Sequence, residues 1–140
     1  LCEGRLPVCC HVGDKRFDFS NPNRVKRVLA AFPGLCFIGA HLGGWSLWDG
    51  AYLELAAYPN LIVDCSSSLA YISPEKGREV IRAYGADRVL FGTDYPMWPA
   101  GDELRRFRAL GLTEEEEDRI LHQNAERVFH LTSHTGIMNP

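Results

Sequence analysis

The sequence has no apolar run approaching the roughly 20 residues that a membrane-spanning helix needs. Charge of one sign is also scarce. The 15 Lys and Arg set against 18 Asp and Glu leave a formal net charge of −3, so there is no basic surplus to attract nucleic acid or an anionic membrane. The first residues, Leu1-Cys2-Glu3-Gly4-Arg5, lack the charged-then-apolar profile of a secretory leader. They also lack an initiator Met, which fits a chain that begins inside something longer. Cysteines are few and odd in number: Cys2, Cys9, Cys10, Cys36 and Cys65. Such a set, with three members inside apolar runs, does not make a disulfide framework. Cys9, Cys36 and Cys65 read instead as buried small hydrophobes in a reducing, cytoplasmic setting. A zinc site from Cys9, Cys10 and His11 is disfavoured, because neighbours on a strand point to opposite faces.

What is present is enough apolar material for one core: 46% of 140 residues are hydrophobic, and there is no linker or low-complexity stretch. One folded unit is expected over residues 1–131, with 132–140 as a flexible tail. Four short apolar runs stand out, LPVCC (6–10), LCFIGA (35–40), LIVDCS (61–66) and RVLFGT (88–93). They are short, bounded by breakers and without alternation, as parallel strands covered on both faces should be. Helical patterns fill the gaps. Pro22 follows possible caps at Ser20 or Asn21, and Val25, Val28, Leu29 and Phe32 form an apolar stripe. Trp48, Ala51, Tyr52 and Leu55 repeat that spacing. Ser73-Pro74 opens a helix carrying Val80, Ile81 and Tyr84, which Gly85 ends. Residues 102–110 read as a helix, and Thr113-Glu114-Glu115-Glu116 has the form of a capping box opening the last one. Strict strand–helix alternation with short connections predicts a parallel α/β sheet, either part of a barrel or doubly wound. Four units fill half of an eight-unit barrel. Alone they would leave two open sheet edges and an uncovered inner face.

Three of these runs end in a residue that does not belong in a core. His11 follows LPVCC, His41 follows LCFIGA and Asp94 follows RVLFGT. Ligands of parallel α/β proteins meet the C-terminal ends of the strands. Two imidazoles and a carboxylate there suit a divalent metal of the zinc type, and equally a metal beside an acid–base group. Each residue alone has a structural reading, a hydrogen-bonded strand-end His or an Asx turn. The coincidence at three equivalent positions favours chemistry. Ser66 or Ser67 are candidates to line a pocket, and Met97 and Trp98 to wall it for an apolar or aromatic substrate. Lys15, Arg16 and Arg88 are candidate carboxylate partners. His122, His130 and His134 read as surface or tail residues.

The strings NPNRVKRVLAAFPGLCFIGAHLGG, AAYPNLIVDCSS, YGADRVLFGTDYP and LGLTEEEEDRILHQNAERVF resemble consecutive segments of amidohydrolase family 2, within the metal-dependent hydrolase superfamily. The resemblance runs from about Leu6 to Leu131, and GADRVLFGTDYP with NAERVF carries most of it. It implies a (β/α)8 TIM-type barrel, of which this chain would be the C-terminal half, strands five to eight with their helices. By the same resemblance His11 is a metal ligand and Asp94 a carboxylate that contacts the metal and handles its water. His41 is a second-metal ligand or, in single-metal decarboxylase-like members, an acid–base group. The implied cofactor is a divalent ion, zinc first and manganese second. The family's strand-one His-x-His pair does not occur here, so the chain supplies too few ligands for a catalytic zinc site by itself. The expected activity is hydrolysis of an ester, lactone or amide in a small molecule. The alternatives are decarboxylation of a small aromatic or unsaturated carboxylic acid on the same site, or an inactive fragment. A homo-oligomer, or pairing with a complementary half-barrel, is the expected assembly.

Overall fold

A computed structural model describes residues 6–131. Strand β1 spans Val8–His11, β2 Phe37–Ala40, β3 Leu61–Asp64 and β4 Val89–Leu90, in the sheet order β1-β2-β3-β4 with every pair parallel. Helix α1 (Pro22–Ala31) follows β1, α2 (Ala51–Leu55) follows β2 and α3 (Pro74–Tyr84) follows β3. After β4 come α4 (Ala100–Arg108) and a last helix built from α5 (Glu114–Asp118), a π-type stretch (Arg119–Gln123) and α6 (Asn124–Val128). The expected alternation is therefore present. The tail expected at 132–140, with His134, lies outside the described residues.

Register explains how the sheet sorts its side chains. Val8 pairs with Phe37 and Phe37 with Leu61, while Gly39 pairs with Val63 and Val63 with Val89. These positions share the face that the helices cover, and Leu29, Leu55, Val80, Ile81, Tyr84 and Phe107 pack onto it. A fully buried aliphatic such as Ile81 or Leu55 contributes about 1.5–3 kcal/mol. Helix α3 is set by local chemistry at both ends. The Ser73 hydroxyl accepts from Lys76 N–H at 3.2 Å, and Gly85 takes φ 91° to turn the chain out.

Several expectations need correction. Asn21 precedes α1, but its side chain does not cap the helix; its Oδ1 accepts from Asp14 N–H at 2.8 Å and ties down the loop after β1 instead. Only Val25 and Leu29 of the expected stripe are buried, with Val28 and Phe32 exposed. The second helix begins at Ala51, so Trp48 stands in the turn before it. Cys9 is exposed and Cys36 only half-buried, because both lie on the sheet face away from the main helical layer; Cys65 is fully buried as expected.

The inner face is not bare. Ile38, Ile62 and Leu90 point away from the main helical layer and form a second small core with Ala125 and Val128 of α6. The same helix covers the free side of β4. The Ile120 carbonyl, freed inside the π-type stretch, accepts from Phe91 N–H at 2.9 Å. The Asn124 amide donates to the Val89 and Ala86 carbonyls, each at 2.7 Å. One expected open edge is thus occupied. Among the described residues, β1 pairs only with β2, so its other edge stays open.

Candidate active site

The site lies at the C-terminal ends of the four strands. His11 is the last residue of β1. His41 follows β2 directly and has φ 62°, Ser67 lies just after β3 with φ 51°, and Asp94 lies beyond β4 with φ 57°. Left-handed backbone is uncommon for residues with a side chain and costs about 1–3 kcal/mol. Three such residues line one cavity of about 240 Å³ together with His11. Trp45, Tyr71, Met97 and Trp98 form its walls. The glycines of AHLGG admit this turn: a Cβ on Gly43, at φ 66°, would meet the Tyr84 hydroxyl at 2.8 Å. The structure therefore brings His11, His41 and Asp94 to one rim, as expected.

Each polar group is held by named partners. His11 Nε2 lies 2.6 Å from the Gly13 carbonyl. A carbonyl only accepts, so Nε2 carries the proton and Nδ1 keeps a lone pair. The His41 ring lies against the His11 ring, centroids 4.8 Å apart. Its main chain is pinned on both sides. His41 N–H donates to Asp64 Oδ1 at 3.2 Å, and Trp48 Nε1–H donates to the His41 carbonyl at 3.0 Å. The Asp94 carboxylate receives the Ser67 hydroxyl at Oδ2, 2.7 Å away, while the Trp98 indole N–H donates to that hydroxyl at 3.0 Å. The indole only donates, so the Ser67 proton is directed to Asp94. Arg106 sits 4.8 Å above the Trp98 ring and is itself paired with the buried Glu103.

The donor set has the right chemistry for a zinc- or manganese-type ion but does not close around one. Among the described residues, no three His, Cys, Asp or Glu side chains are grouped so as to hold a metal. His11, His41 and Asp94 share a cavity without converging on one point, and a catalytic metal needs three protein ligands. Two of the candidate carboxylate partners are already engaged. Arg16 forms a two-pronged pair with Asp14, whose carboxyl is held down at about 2 by that hydrogen bonding. Among the described residues, Arg88 donates to the carbonyls of Tyr84, Tyr58 and Ala56. His122 pairs with Glu126 on the last helix, away from the site. Sequence reasoning missed Tyr71 and the holding role of Asp64, for which a carboxylate closing a strand beside Cys65-Ser66-Ser67-Ser68 is the one available signal.

The family model of the amidohydrolases matches residues 1–131. The chain belongs to the amidohydrolase family. Its members are enzymes, and this amidohydrolase chain has their parallel α/β architecture. Among solved structures it is similar to an uncharacterized TIM-barrel protein, Bb4693, from Bordetella bronchiseptica. The identity is 29% and the TM-score 0.77, covering 92% of this chain and 47% of that one. It is also similar to 2,6-dihydroxybenzoate decarboxylase from Rhizobium, at 25% identity and TM-score 0.62, covering 79% of this chain and 41% of that one. A putative 2-pyrone-4,6-dicarboxylic acid hydrolase from Pseudomonas putida shares the fold at 20% identity and TM-score 0.68, covering 92% and 53%. Two further fold relatives, at 21% and 16% identity, hold manganese and zinc respectively. No curated protein matches. The chain spans about half the length of the solved structures it matches.

Proposed function

We propose that this amidohydrolase chain contributes the acid–base half of a metal-dependent decarboxylase site for small aromatic carboxylic acids. The observation that carries this is the cavity itself. A volume of about 240 Å³, walled by Trp45, Tyr71 and Trp98 and floored by His41 and Asp94, suits one aromatic ring and not a drug-sized ligand. The 25% identity to a 2,6-dihydroxybenzoate decarboxylase supports the same substrate class. In such a reaction the bond from ring carbon to carboxyl breaks, carbon dioxide leaves, and the ring carbon takes a proton. His41 keeps one ring nitrogen turned to the cavity; it takes the proton of a substrate ring hydroxyl and passes it to the ring carbon as carbon dioxide leaves. Asp94, capped at Oδ2 by Ser67, has Oδ1 for the ion or for a substrate hydroxyl. In such a site a divalent ion would supply positive charge beside the substrate carboxylate. His11 Nδ1 and Asp94 Oδ1 are the donors this chain offers it.

A second reading, hydrolysis of an ester, lactone or amide, uses the same pair, because a carboxylate and an imidazole on one cavity can manage the protons of water. We read the four strands as the last four of the barrel, and infer that the free edge of β1 pairs with a further strand, while closure at β4 would need the last helix to give up the edge it covers. That strand would come from a complementary half-barrel or a second copy of this chain. Light scattering of the purified chain tests the assembly; a stable monomer counts against it.

The function is tested with zinc- or manganese-supplemented protein and hydroxybenzoates, following carbon dioxide release. His41→Asn and Asp94→Asn are each expected to lower kcat by about 10²–10⁴-fold. Ester hydrolysis without carbon dioxide release would select the second reading. Neither activity, with no metal retained in wild type, His11→Ala or Asp94→Ala protein by elemental analysis, would leave an inactive fragment.

A further inference from the structure

The proposed site uses His41 without explaining what prepares its ring. Asp64 closes β3 and lies two residues before Ser66. Its Oδ1 accepts three hydrogen bonds at once: from Ser66 Oγ at 2.5 Å, from Ser66 N–H at 2.9 Å and from His41 N–H at 3.2 Å. The Ser66 hydroxyl has a single proton, and Asp64 takes it. Ser66 Oγ therefore offers only lone pairs to its other neighbour, His41 Nδ1, at 3.1 Å. The Ser66 carbonyl lies 3.0 Å from the same nitrogen. It also accepts from the Ser68 hydroxyl at 3.1 Å. Both partners of Nδ1 are then acceptors, and the contact is buried, with His41 8% and Ser66 5% exposed.

We infer that Asp64 is a positioning residue which, through Ser66, fixes the His41 ring with its proton on Nδ1 and turns the lone pair of Nε2 into the cavity. The inference rests on the reading of His41 as the proton carrier. Without Asp64, the Ser66 hydroxyl would be free to rotate and donate to Nδ1, competing with the Ser66 carbonyl and weakening the preference for the Nδ1–H tautomer. The same carboxylate also holds the main-chain N–H of His41, a residue in left-handed backbone. One side chain thus sets both the place of the ring and the place of its proton, in the manner of groups that orient metal-binding or catalytic imidazoles.

The test is ring-nitrogen NMR on the full chain labelled with ¹⁵N-histidine, at a pH above the imidazole range and without added metal or substrate. His41 signals are assigned by their loss in His41→Gln. The wild type is expected to show the Nδ1–H pattern for His41. Asp64→Asn, which keeps an oxygen acceptor in place, is expected to preserve it. Asp64→Ala is expected to shift the tautomer ratio toward Nε2–H by about fivefold, the equivalent of one net hydrogen bond. A wild-type spectrum dominated by Nε2–H overturns the inference, as does a folded Asp64→Ala protein with an unchanged ratio. Should Asp64→Ala not fold, Ser66→Ala decides. Loss of one acceptor should speed solvent exchange of the His41 Nδ1 proton about fivefold, and Ser66→Thr should restore it. Unchanged exchange in Ser66→Ala overturns the relay. Because no turnover is measured, failure of the decarboxylase reading leaves these outcomes intact, and their failure leaves that reading open to its own assay.

Discussion

The side-chain amide of Asn124 lies against the outer edge of β4 and donates to the Val89 carbonyl at 2.7 Å, where a neighbouring strand would otherwise bond. A second donation, to the Ala86 carbonyl at 2.7 Å, uses the other amide proton. Asn124 is 4% exposed and its bond to Val89 is buried, so that carbonyl has no ready access to water in its place. Asn124→Ala is expected to destabilise the fold by about 2–3 kcal/mol, read as a lower urea midpoint. Asn124→Asp, of nearly the same shape, should cost more, because it turns a carboxylate toward two carbonyls. A midpoint unchanged in both variants would refute this role.

Ser67 occupies left-handed backbone at φ 51° while its hydroxyl joins Trp98 to Asp94. Glycine tolerates that backbone and a β-branched residue does not. Ser67→Val should therefore be less stable than Ser67→Gly by about 1–3 kcal/mol in chemical denaturation. Both variants free the Trp98 indole N–H, and its ¹H–¹⁵N resonance should move in each. Equal stability of the two would mean that the backbone there relaxes at no cost.

Arg106 is the hydrogen-bonding partner of Glu103 Oε1, and Glu103 is fully buried with no partner for Oε2 among the described residues. Arg106→Ala leaves a buried carboxylate with no countercharge and should cost about 3 kcal/mol. Combining it with Glu103→Leu should recover much of that loss, since the expense is the stranded charge and not the missing arginine. The comparison is made by thermal or urea unfolding of the two proteins.

Glu116 supplies the pH-dependent prediction. Its carboxyl is held at about 2, against an ordinary 4.5, first by the Arg82 side-chain hydrogen bond and then by the Thr113 main chain. A folded value below the unfolded one means that the stabilisation is complete above 4.5 and is lost as pH falls through about 2. Wild type and Glu116→Gln should thus differ in urea midpoint near neutrality and converge across that acid window. A constant difference through the window would remove Glu116 as the source.

Much of the fold was legible because its signals are local. The Ser73 cap and Gly85 turn of α3, the Thr113–Glu116 capping box and the four short strands follow from side-chain chemistry within a few residues. His11, His41 and Asp94 were legible for a related reason: strand ends in a parallel sheet share one rim. The length of β4 was not, since Phe91 gives its N–H to the last helix rather than to a strand.

The sequence by itself determined the alternation of elements, the parallel sheet and the rim at which three ionisable side chains meet. Only the tertiary structure decided how those side chains are held and where their protons sit. Asp64 and Ser66 come within hydrogen-bonding distance of His41 across more than 20 residues of chain, and Ser67 reaches Asp94 across 27. Spacing along the chain carries no trace of such contacts, because they depend on strand register and on left-handed turns fixed by packing. The cover on the inner face belongs to the same class, since Val128 meets Ile38 and Ile62 only once the last helix has turned back against the sheet.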